Sequence, residues 1–399
     1  MKDYSKITPE GTKDLLFEEC LANRTVSSIL GNVFSHRGFH EVLTPGIEFY
    51  DLFSEEKSGI PMEYMFKMSD SKGRLMVVRP DSTLPIARMV TTRLKNERHP
   101  IRLYYNQRVY RYNPGLTGRS NEVMQTGIEL IGASGKRADL ETITTAVEAL
   151  SKCIPDFRIE LGNAAFFQIL SKSLPVNEDE REEIRTLIES KNYSALNTVL
   201  DSLEQTQAVN VIRKLPRLFG GIEVLDEAYK MCDNPLALKR LDYLREIYND
   251  LKKMGLGDRL IIDLGLVQRN DYYSDIVFSG YVMGSGEPVL IGGRYDRLLD
   301  NFDAPAPAVG FGINVDSLAR VMMNRGNIPE KKRADLLVHS KLGYEIEAIR
   351  YTSALYEANV LGENSVFETV EEALEYARAK GIKKLTIVGD EIKTINTGV

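Results

Sequence analysis

The chain has 399 residues, too many for one compact core, because single hydrophobic cores rarely extend beyond about 250–300 residues. Hydrophobic residues make up 43% of it and charged residues 27%, which is ordinary globular composition and excludes a largely disordered protein. The formal net charge of −6 provides no global positive field, so extensive nucleic-acid contact is disfavoured.

The spacing of the cysteines and histidines and the lengths of the apolar runs bear on disulfide, metal-binding and membrane proteins. The three cysteines form no CxxC pair, which suits a reducing compartment. His36 and His40 are four residues apart, but Gly38 between them is typical of a helix end, so we expect no metal site. The N-terminal residues lack an apolar signal core and no run of 18 apolar residues occurs, so we expect a cytoplasmic protein without membrane contact.

The first 164 residues predict a mixture of helices and strands. Asp14 is a candidate cap for a long amphipathic helix, because apolar residues recur at three and four positions after it. Further helices are expected at 82–96 and 139–153. Strands are predicted at 40–53, 64–70, 74–80, 101–112, 122–132 and 157–163. Turn-rich loops between neighbouring strands favour antiparallel pairing.

The pattern of charged and apolar residues changes in the rest of the chain. A charged, helix-favouring stretch without a clear strand predicts an inserted subdomain, and the strand pattern then resumes from Arg259. After a basic linker, strands and helices alternate to the end, which predicts a small α/β module. The predicted domains are a sheet domain at 1–164 and 256–328, a helical insertion at 165–255 and a C-terminal module at 329–399.

Five segments in a fixed order indicate function. They are "VVRPDST", "RVYRYNPGLTGRSNEVMQTGIELIG", "NDYYSDIVF", "IGGRYDRLL" and "PAVGFGINVD". Together, from Pro9 to Met323, they resemble the family of histidyl-tRNA synthetase, a class II aminoacyl-tRNA synthetase, and its non-translating paralogue, the ATP phosphoribosyltransferase regulatory subunit. The resemblance implies an α+β fold with a class II synthetase-like antiparallel sheet of six or seven strands flanked by helices, which is usually dimeric.

The residues themselves suit a pocket for a zwitterionic amino acid with a polar ring, which needs carboxylates, a cation or amide, and aromatic groups. The family resemblance assigns Asp81 and Thr83 to the amino group, with Asp where the synthetase has Glu. Gln125 and Glu129 match the family's histidine contacts, and strand alternation places them on one face.

Three tyrosines complete the predicted histidine-binding set. Tyr272, Tyr273 and Tyr295 match the family's tyrosines on the imidazole side. Neighbouring strand residues point to opposite faces, so one of the adjacent pair could be purely structural. Arg111, the last member of the set, matches the first of the synthetase's arginines around ATP.

The other positions of the ATP site depart from the synthetase pattern. Expected arginines fall on Asn121, Gln268 and Ser317, and Asn113 replaces an expected glutamate. Removing one such donor from a reacting oxyanion typically costs about 10²–10³ in rate. We therefore expect no catalytic residues and no efficient adenylation, although the residues predicted to bind the amino acid are retained.

The C-terminal tail also departs from a tRNA-binding domain. From Lys331 to Val399 it has ten Lys and Arg against eleven Asp and Glu, whereas tRNA contact favours a basic face. A structural or protein-binding role is therefore expected, without tRNA.

These features favour a regulatory subunit of ATP phosphoribosyltransferase. The resemblance implies a hetero-oligomer, with self-dimers of this chain, in which it activates a short-form catalytic subunit and conveys feedback inhibition by histidine without a cofactor. An active histidyl-tRNA synthetase with a divergent ATP site is one alternative. A synthetase-like amino-acid sensor for another partner, or an adenylating enzyme for another amino acid, is the other.

Overall fold

The computed structural model describes residues 3–113, 120–267, 273–330 and 332–399. The chain divides into two compact units, Met1–Ile328 and Pro329–Val399. The predicted separation of a helical insertion at 165–255 lies within the first unit and stays a prediction.

The first unit is built on a large mixed sheet. Its strands are β1 (His40–Glu41), β2 (Ile47–Phe49), β3 (Lys67–Ser69), β4 (Leu75–Val78), β5 (Ile101–Tyr110), β6 (Glu122–Ile131), β7 (Phe157–Asn163), β8 (Phe219–Gly220), β9 (Leu260–Asp263), β10 (Ile276–Val282), β11 (Leu290–Arg294) and β12 (Ala308–Asn314). Nine strands among the described residues form the sheet β1-β5-β6-β12-β11-β10-β7-β9-β8, and β2-β4-β3 form a smaller one.

The class II synthetase-like fold is confirmed, with a wider and less uniform sheet than expected. The central pairs are antiparallel, whereas β1–β5 and β7–β9 are parallel. The short strands β1, β8 and β9 bring the described sheet to nine strands instead of six or seven. The two-residue strand β8 lies inside the stretch for which no strand was expected, and it pairs with β9.

Helices cover the sheet and form the segment between β7 and β9. They are α1 (Glu18–His36), α2 (Glu55–Ser58), α3 (Thr83–Arg93), α4 (Lys136–Cys153), α5 (Ala164–Lys172), α6 (Glu178–Glu189), α7 (Tyr193–Asp201), α8 (Gln207–Lys214), α9 (Glu223–Met231), α10 (Pro235–Leu251) and α11 (Val315–Asn324). The cap predicted at Asp14 is wrong, because α1 begins after Phe17, whose side chain makes no capping bond.

The longest helix between β7 and β9, α10, shows why these segments are helical. Asn234 precedes it and accepts hydrogen bonds from the amides of Leu236 and Ala237 at 3.0 and 3.2 Å. Pro235 occupies the first helical position, where its missing N–H costs nothing. Leu241 and the apolar residues one turn apart beyond it are buried, so one face of α10 packs into the core.

The two faces of the large sheet differ in chemistry. On one face, Ile128 of β6 and Phe311 of β12 pack in the main core with α1, α4 and α11. The opposite face carries Glu129 of β6, which lies opposite Gly310 of β12 and Leu103 of β5. We call this second side of β5, β6 and β12 the pocket face.

The second unit is a small α/β module. It consists of β13 (Leu336–Ser340), α12 (Glu345–Glu357), β14 (Gly362–Asn364), α13 (Val370–Lys380), β15 (Lys384–Val388) and β16 (Lys393–Asn396). The strand order is β14-β13-β15-β16, with an antiparallel pair only at β15–β16 among the strands described. Thr369 and Glu372 cap α13 reciprocally, and Gly381 ends it with φ +67°.

Candidate functional site

Glu129 is the most buried carboxylate of the pocket face, with 2% of its surface exposed. The Thr83 hydroxyl donates to Glu129 Oε1 at 2.8 Å, and the Tyr295 hydroxyl donates to Oε2. Burial raises the pKa of Glu129 well above its ordinary value, against the lowering effect of the Thr83 hydrogen bond. The site therefore contains a buried carboxyl group whose ionised form is disfavoured by burial and favoured by the hydrogen bond from Thr83.

The segment before α3 brings a second carboxylate to this region. Asp81 Oδ1 accepts from the amides of Thr83 and Leu84 at 2.9 and 3.2 Å, which fixes the first turn of α3. Arg111 Nη2 lies 3.6 Å from Asp81 Oδ2, and Arg111 Nε donates to the Pro80 carbonyl at 2.8 Å. Asp81 and Arg111 thus place opposite charges beside the Thr83–Glu129 pair.

Two of the three predicted tyrosines form an aromatic wall. The rings of Tyr273 and Tyr295 meet edge to face with centroids 6.5 Å apart, and both residues are buried. The ring of Tyr273 lies so close to Gly293 that a Cβ there would come within 2.6 Å of its Cδ1 atom. Tyr272 lies outside the described residues, so its place in the pocket stays a prediction.

Gln125 lies two residues along β6 from Gly127 and four from Glu129, so strand alternation places all three on the pocket face. Its Oε1 atom accepts a hydrogen bond from the buried Tyr105 hydroxyl at 3.1 Å. Sequence reasoning missed Tyr105, which pairs with Gly127 across the β5–β6 ladder. Strand alternation along β5 predicts which other β5 residues share a face with Tyr105. The loop between β5 and β6 is too long to fix which β6 residue lies opposite Tyr105.

The positions that depart from the synthetase pattern have structural partners here. Asn121 is 5% exposed, its Nδ2 donates to the Glu10 carbonyl at 3.0 Å, and its Oδ1 accepts from the Asn113 amide at 3.0 Å. The Asn121 amide also donates to the Gly11 carbonyl at 2.7 Å. The N-terminal segment therefore packs on the position at which the resemblance implies an arginine.

The remaining departures are neutral residue types, a serine at position 317 and a glutamine at position 268. Ser317 lies in the first turn of α11, where its amide donates to the Asn314 side chain at 2.9 Å. Gln268 lies outside the described residues. Of the described residues, no group of three or more His, Cys, Asp and Glu side chains could hold a metal ion. No helix in the described ranges is long and apolar enough to span a membrane.

Comparison with known proteins shows the family of the chain. The profile of the family described as histidyl-tRNA synthetase matches residues 11–318. An ATP phosphoribosyltransferase regulatory subunit of Clostridium kluyveri is 39% identical over 391 residues, covering 97% of this chain and all of that protein. One of Bacillus mycoides is 36% identical over 392 residues, covering 97% of this chain and 92% of that protein.

Solved structures give the same result. A protein of Bacillus halodurans, described as an ATP phosphoribosyltransferase regulatory subunit/histidyl-tRNA synthetase, superposes with a TM-score of 0.83 at 26% identity, covering 98% of this chain and all of that one. The histidyl-tRNA synthetase of Nostoc superposes with a TM-score of 0.74 at 18% identity over 98% of this chain and 97% of that one, which shows a shared fold. The chain therefore belongs to the histidyl-tRNA synthetase-like family, in the branch of the ATP phosphoribosyltransferase regulatory subunits.

Proposed function

We propose that this chain is the regulatory subunit of an ATP phosphoribosyltransferase in the first step of histidine biosynthesis. It assembles in the cytoplasm with a short-form catalytic subunit, which needs it for activity, and it binds histidine as the feedback effector. Within the hetero-oligomer it forms dimers with itself, and it contacts no tRNA.

One observation carries this proposal. A continuous series of contacts runs from Arg111 through Asp81, Thr83 and Glu129 to Tyr295. It combines a cation, two carboxylates, a hydroxyl and an aromatic wall in one region. Those are the groups that a zwitterionic amino acid with an imidazole ring requires, with Asp81 and Thr83 nearest its ammonium and Glu129 and the tyrosines nearest its ring.

Two described positions in this region carry neutral side chains where the resemblance implies arginines, Asn121 and Ser317. Stabilising the charge that develops on a phosphate takes several fixed cationic donors, whereas here Asn121 is buried beneath the N-terminal segment and Ser317 is short and neutral. A chain that binds the amino acid but performs no chemistry on it suits a regulatory role. The non-catalytic assignment depends on this contrast within one site.

Regulation then follows from linkage. Histidine shifts the complex toward an inhibited state only to the extent that it binds this state more tightly than the active one. A coupling of about 1–3 kcal/mol corresponds to a roughly fivefold to 150-fold difference in histidine affinity between the two states, which is adequate for feedback.

Two measurements on one preparation test the proposal against its alternatives. Histidine at millimolar concentration should raise the melting temperature, because a bound ligand stabilises the folded state, whereas other amino acids should raise it less. Histidine-dependent exchange of pyrophosphate into ATP should be absent. Exchange above background would favour a synthetase, and stabilisation by a different amino acid alone would favour another sensor or adenylating enzyme.

A further inference from the structure

The two tyrosines of the aromatic wall lie on two chain segments that are hydrogen-bonded to each other. Tyr273 is followed by Ser274, whose amide donates to the Arg294 carbonyl at 2.7 Å. The Ser274 hydroxyl in turn accepts from the amide of Asp296 at 3.0 Å. Tyr295 lies between Arg294 and Asp296, so these bonds join the segment that carries Tyr273 to the segment that carries Tyr295.

Helix α10 holds the first segment through Arg240. Its Nη1 atom donates to Asp275 Oδ2 at 2.7 Å, and the Asn163 amide group donates to Asp275 Oδ1 at 2.6 Å. Asp275 is two residues from Tyr273, whose carbonyl also accepts from Gln168 of α5 at 3.0 Å. The backbone beside Tyr273 is thus fixed from the helical side of the sheet.

The same helix holds the second segment through Tyr243, one turn after Arg240. The Tyr243 hydroxyl donates to Asp139 Oδ2, and the other oxygen of this fully buried carboxylate accepts from Arg294 Nε at 2.8 Å and Nη2 at 2.5 Å. Arg294 Nη1 donates a hydrogen bond to Asp296 Oδ1 at 2.8 Å. Both residues that flank Tyr295 therefore depend on one buried network that α10 completes.

We propose that α10 positions the tyrosine wall of the pocket, with Arg240 and Tyr243 as positioning residues that act through Asp275 and through the Asp139–Arg294 pair. The two anchors are three residues apart and so lie on one face of the helix, each reaching one wall segment. This inference rests on the proposed function, because the ligand it concerns is histidine. It adds a route by which histidine in the pocket and the helical segment between β7 and β9 influence each other.

The influence must be reciprocal. If the position of α10 sets the affinity for histidine, then histidine stabilises α10 in the position that completes the pocket. A merely structural pair of anchors would lower the melting temperature when removed but would leave the histidine affinity of the folded protein unchanged. Affinity and the response of α10 to ligand therefore distinguish the two roles.

The experiment titrates L-histidine calorimetrically into the full chain and into the Arg240→Gln and Tyr243→Phe variants. We expect Kd to rise roughly threefold to thirtyfold in both variants, the range found for residues that couple to a site without touching its ligand. Arg245→Gln is the matched control on the same helix, because Arg245 Nη2 bonds Asp226 at 2.8 Å, away from the wall. Its Kd should equal that of the unaltered chain.

Hydrogen exchange supplies a readout that does not depend on the variants folding equally well. Histidine should slow the exchange of amides in α10 of the unaltered chain, and Tyr243→Phe should diminish this effect. The inference would be overturned if the folded variants had an unchanged Kd and histidine did not change the exchange rate of the α10 amides. The proposed function would still stand in that case. An unaltered chain that does not bind histidine at all would overturn both.

Discussion

Thr83 Oγ1 and Glu129 Oε1 lie 2.8 Å apart although 46 residues separate them in the chain. The contact joins the first turn of α3 to the C-terminal half of β6, so the start of a helix and a strand of the sheet together define one wall of the pocket. Glu129 is buried and Tyr295 donates to its other oxygen, so both carboxylate oxygens accept hydrogen bonds from residues of the pocket.

Histidine binding should release a proton from Glu129. Burial raises the pKa of this carboxyl well above its ordinary value, whereas a cationic ligand beside it would lower that pKa, so binding should shift Glu129 toward its ionised form. Calorimetric titrations near neutral pH, in buffers with different ionisation enthalpies, should therefore show net proton release. Glu129→Gln should abolish the release and weaken binding by about tenfold, as expected for the loss of a charged hydrogen bond.

The control for this prediction lies on the same strand. Glu122 accepts from the Tyr110 hydroxyl at 3.0 Å and pairs with Arg108 at 3.0 Å, so its side chain is already engaged by two β5 residues outside the pocket. Glu122→Gln should leave both histidine affinity and proton release unchanged. Equal binding enthalpies in all buffers for the unaltered chain would contradict the predicted net proton release.

Gly310 should tolerate no side chain. A Cβ at this position would lie 2.1 Å from Glu129 Oε2 and 2.3 Å from the Ile128 carbonyl, so Gly310→Ala must displace the carboxylate or the strand. We expect a loss of about 1–3 kcal/mol in the free energy of unfolding, as for overpacked cores, together with impaired histidine binding. Denaturant unfolding and calorimetry measure the two effects. Gly286→Ala, in open space, should be silent, and an equally silent Gly310→Ala would refute the close packing.

Restoring one arginine should not restore adenylation. Asn121→Arg would place a long cation where Asn121 is enclosed by Glu10 and Gly11, because a Cβ on Gly11 would already lie 2.4 Å from Asn121 Nδ2. The substitution should lower the melting temperature and leave pyrophosphate exchange at background. Ser317→Arg, in the half-exposed first turn of α11, should fold normally and also lack exchange. Measurable exchange in Asn121→Arg would show that the nucleotide site is nearly intact.

The stability of the first unit should fall between pH 4.5 and about 7 through Glu160 of β7. Burial, assisted by the negative charge of Asp263, raises the pKa of Glu160 to about 7 from 4.5, while Tyr281 and Lys191 act in the opposite direction. In this window the folded protein holds a proton that the unfolded chain has released, so stability decreases as pH rises. Glu160→Gln removes the titration, and its melting temperature relative to the unaltered chain should therefore increase from pH 4.5 to 7. A constant difference across this range would contradict the raised pKa.

Much of the fold was accessible from sequence because its signals are local. The alternation in β6 places Gln125 and Glu129 on one face, and the structure has both side chains there. Strand register and the edge strands were harder to predict from sequence, since a two-residue strand such as β8 is too short to show an alternating pattern of apolar residues. Asp14 resembled a cap because its residue type is typical of one, but the chain turns into α1 only after Phe17, which has φ +41°.

The candidate site was predictable in its residue types but not in its contacts. Motif order pointed to Asp81, Thr83 and Tyr295, whereas their connection through Glu129 depends on how α3 packs on the sheet. The buried pairing of Asn121 with the N-terminal segment joins residues 111 positions apart, which no local pattern specifies. The roles of the site residues in binding histidine stay predictions.

The most direct test of the regulatory role mixes the purified chain with a short-form ATP phosphoribosyltransferase catalytic subunit that is known to be competent with its own partner. Formation of phosphoribosyl-ATP is followed with and without histidine. We expect the chain to activate the catalytic subunit and histidine to suppress this activation, with suppression weakened in Glu129→Gln. A competent catalytic subunit that does not respond to the chain would contradict the regulatory role.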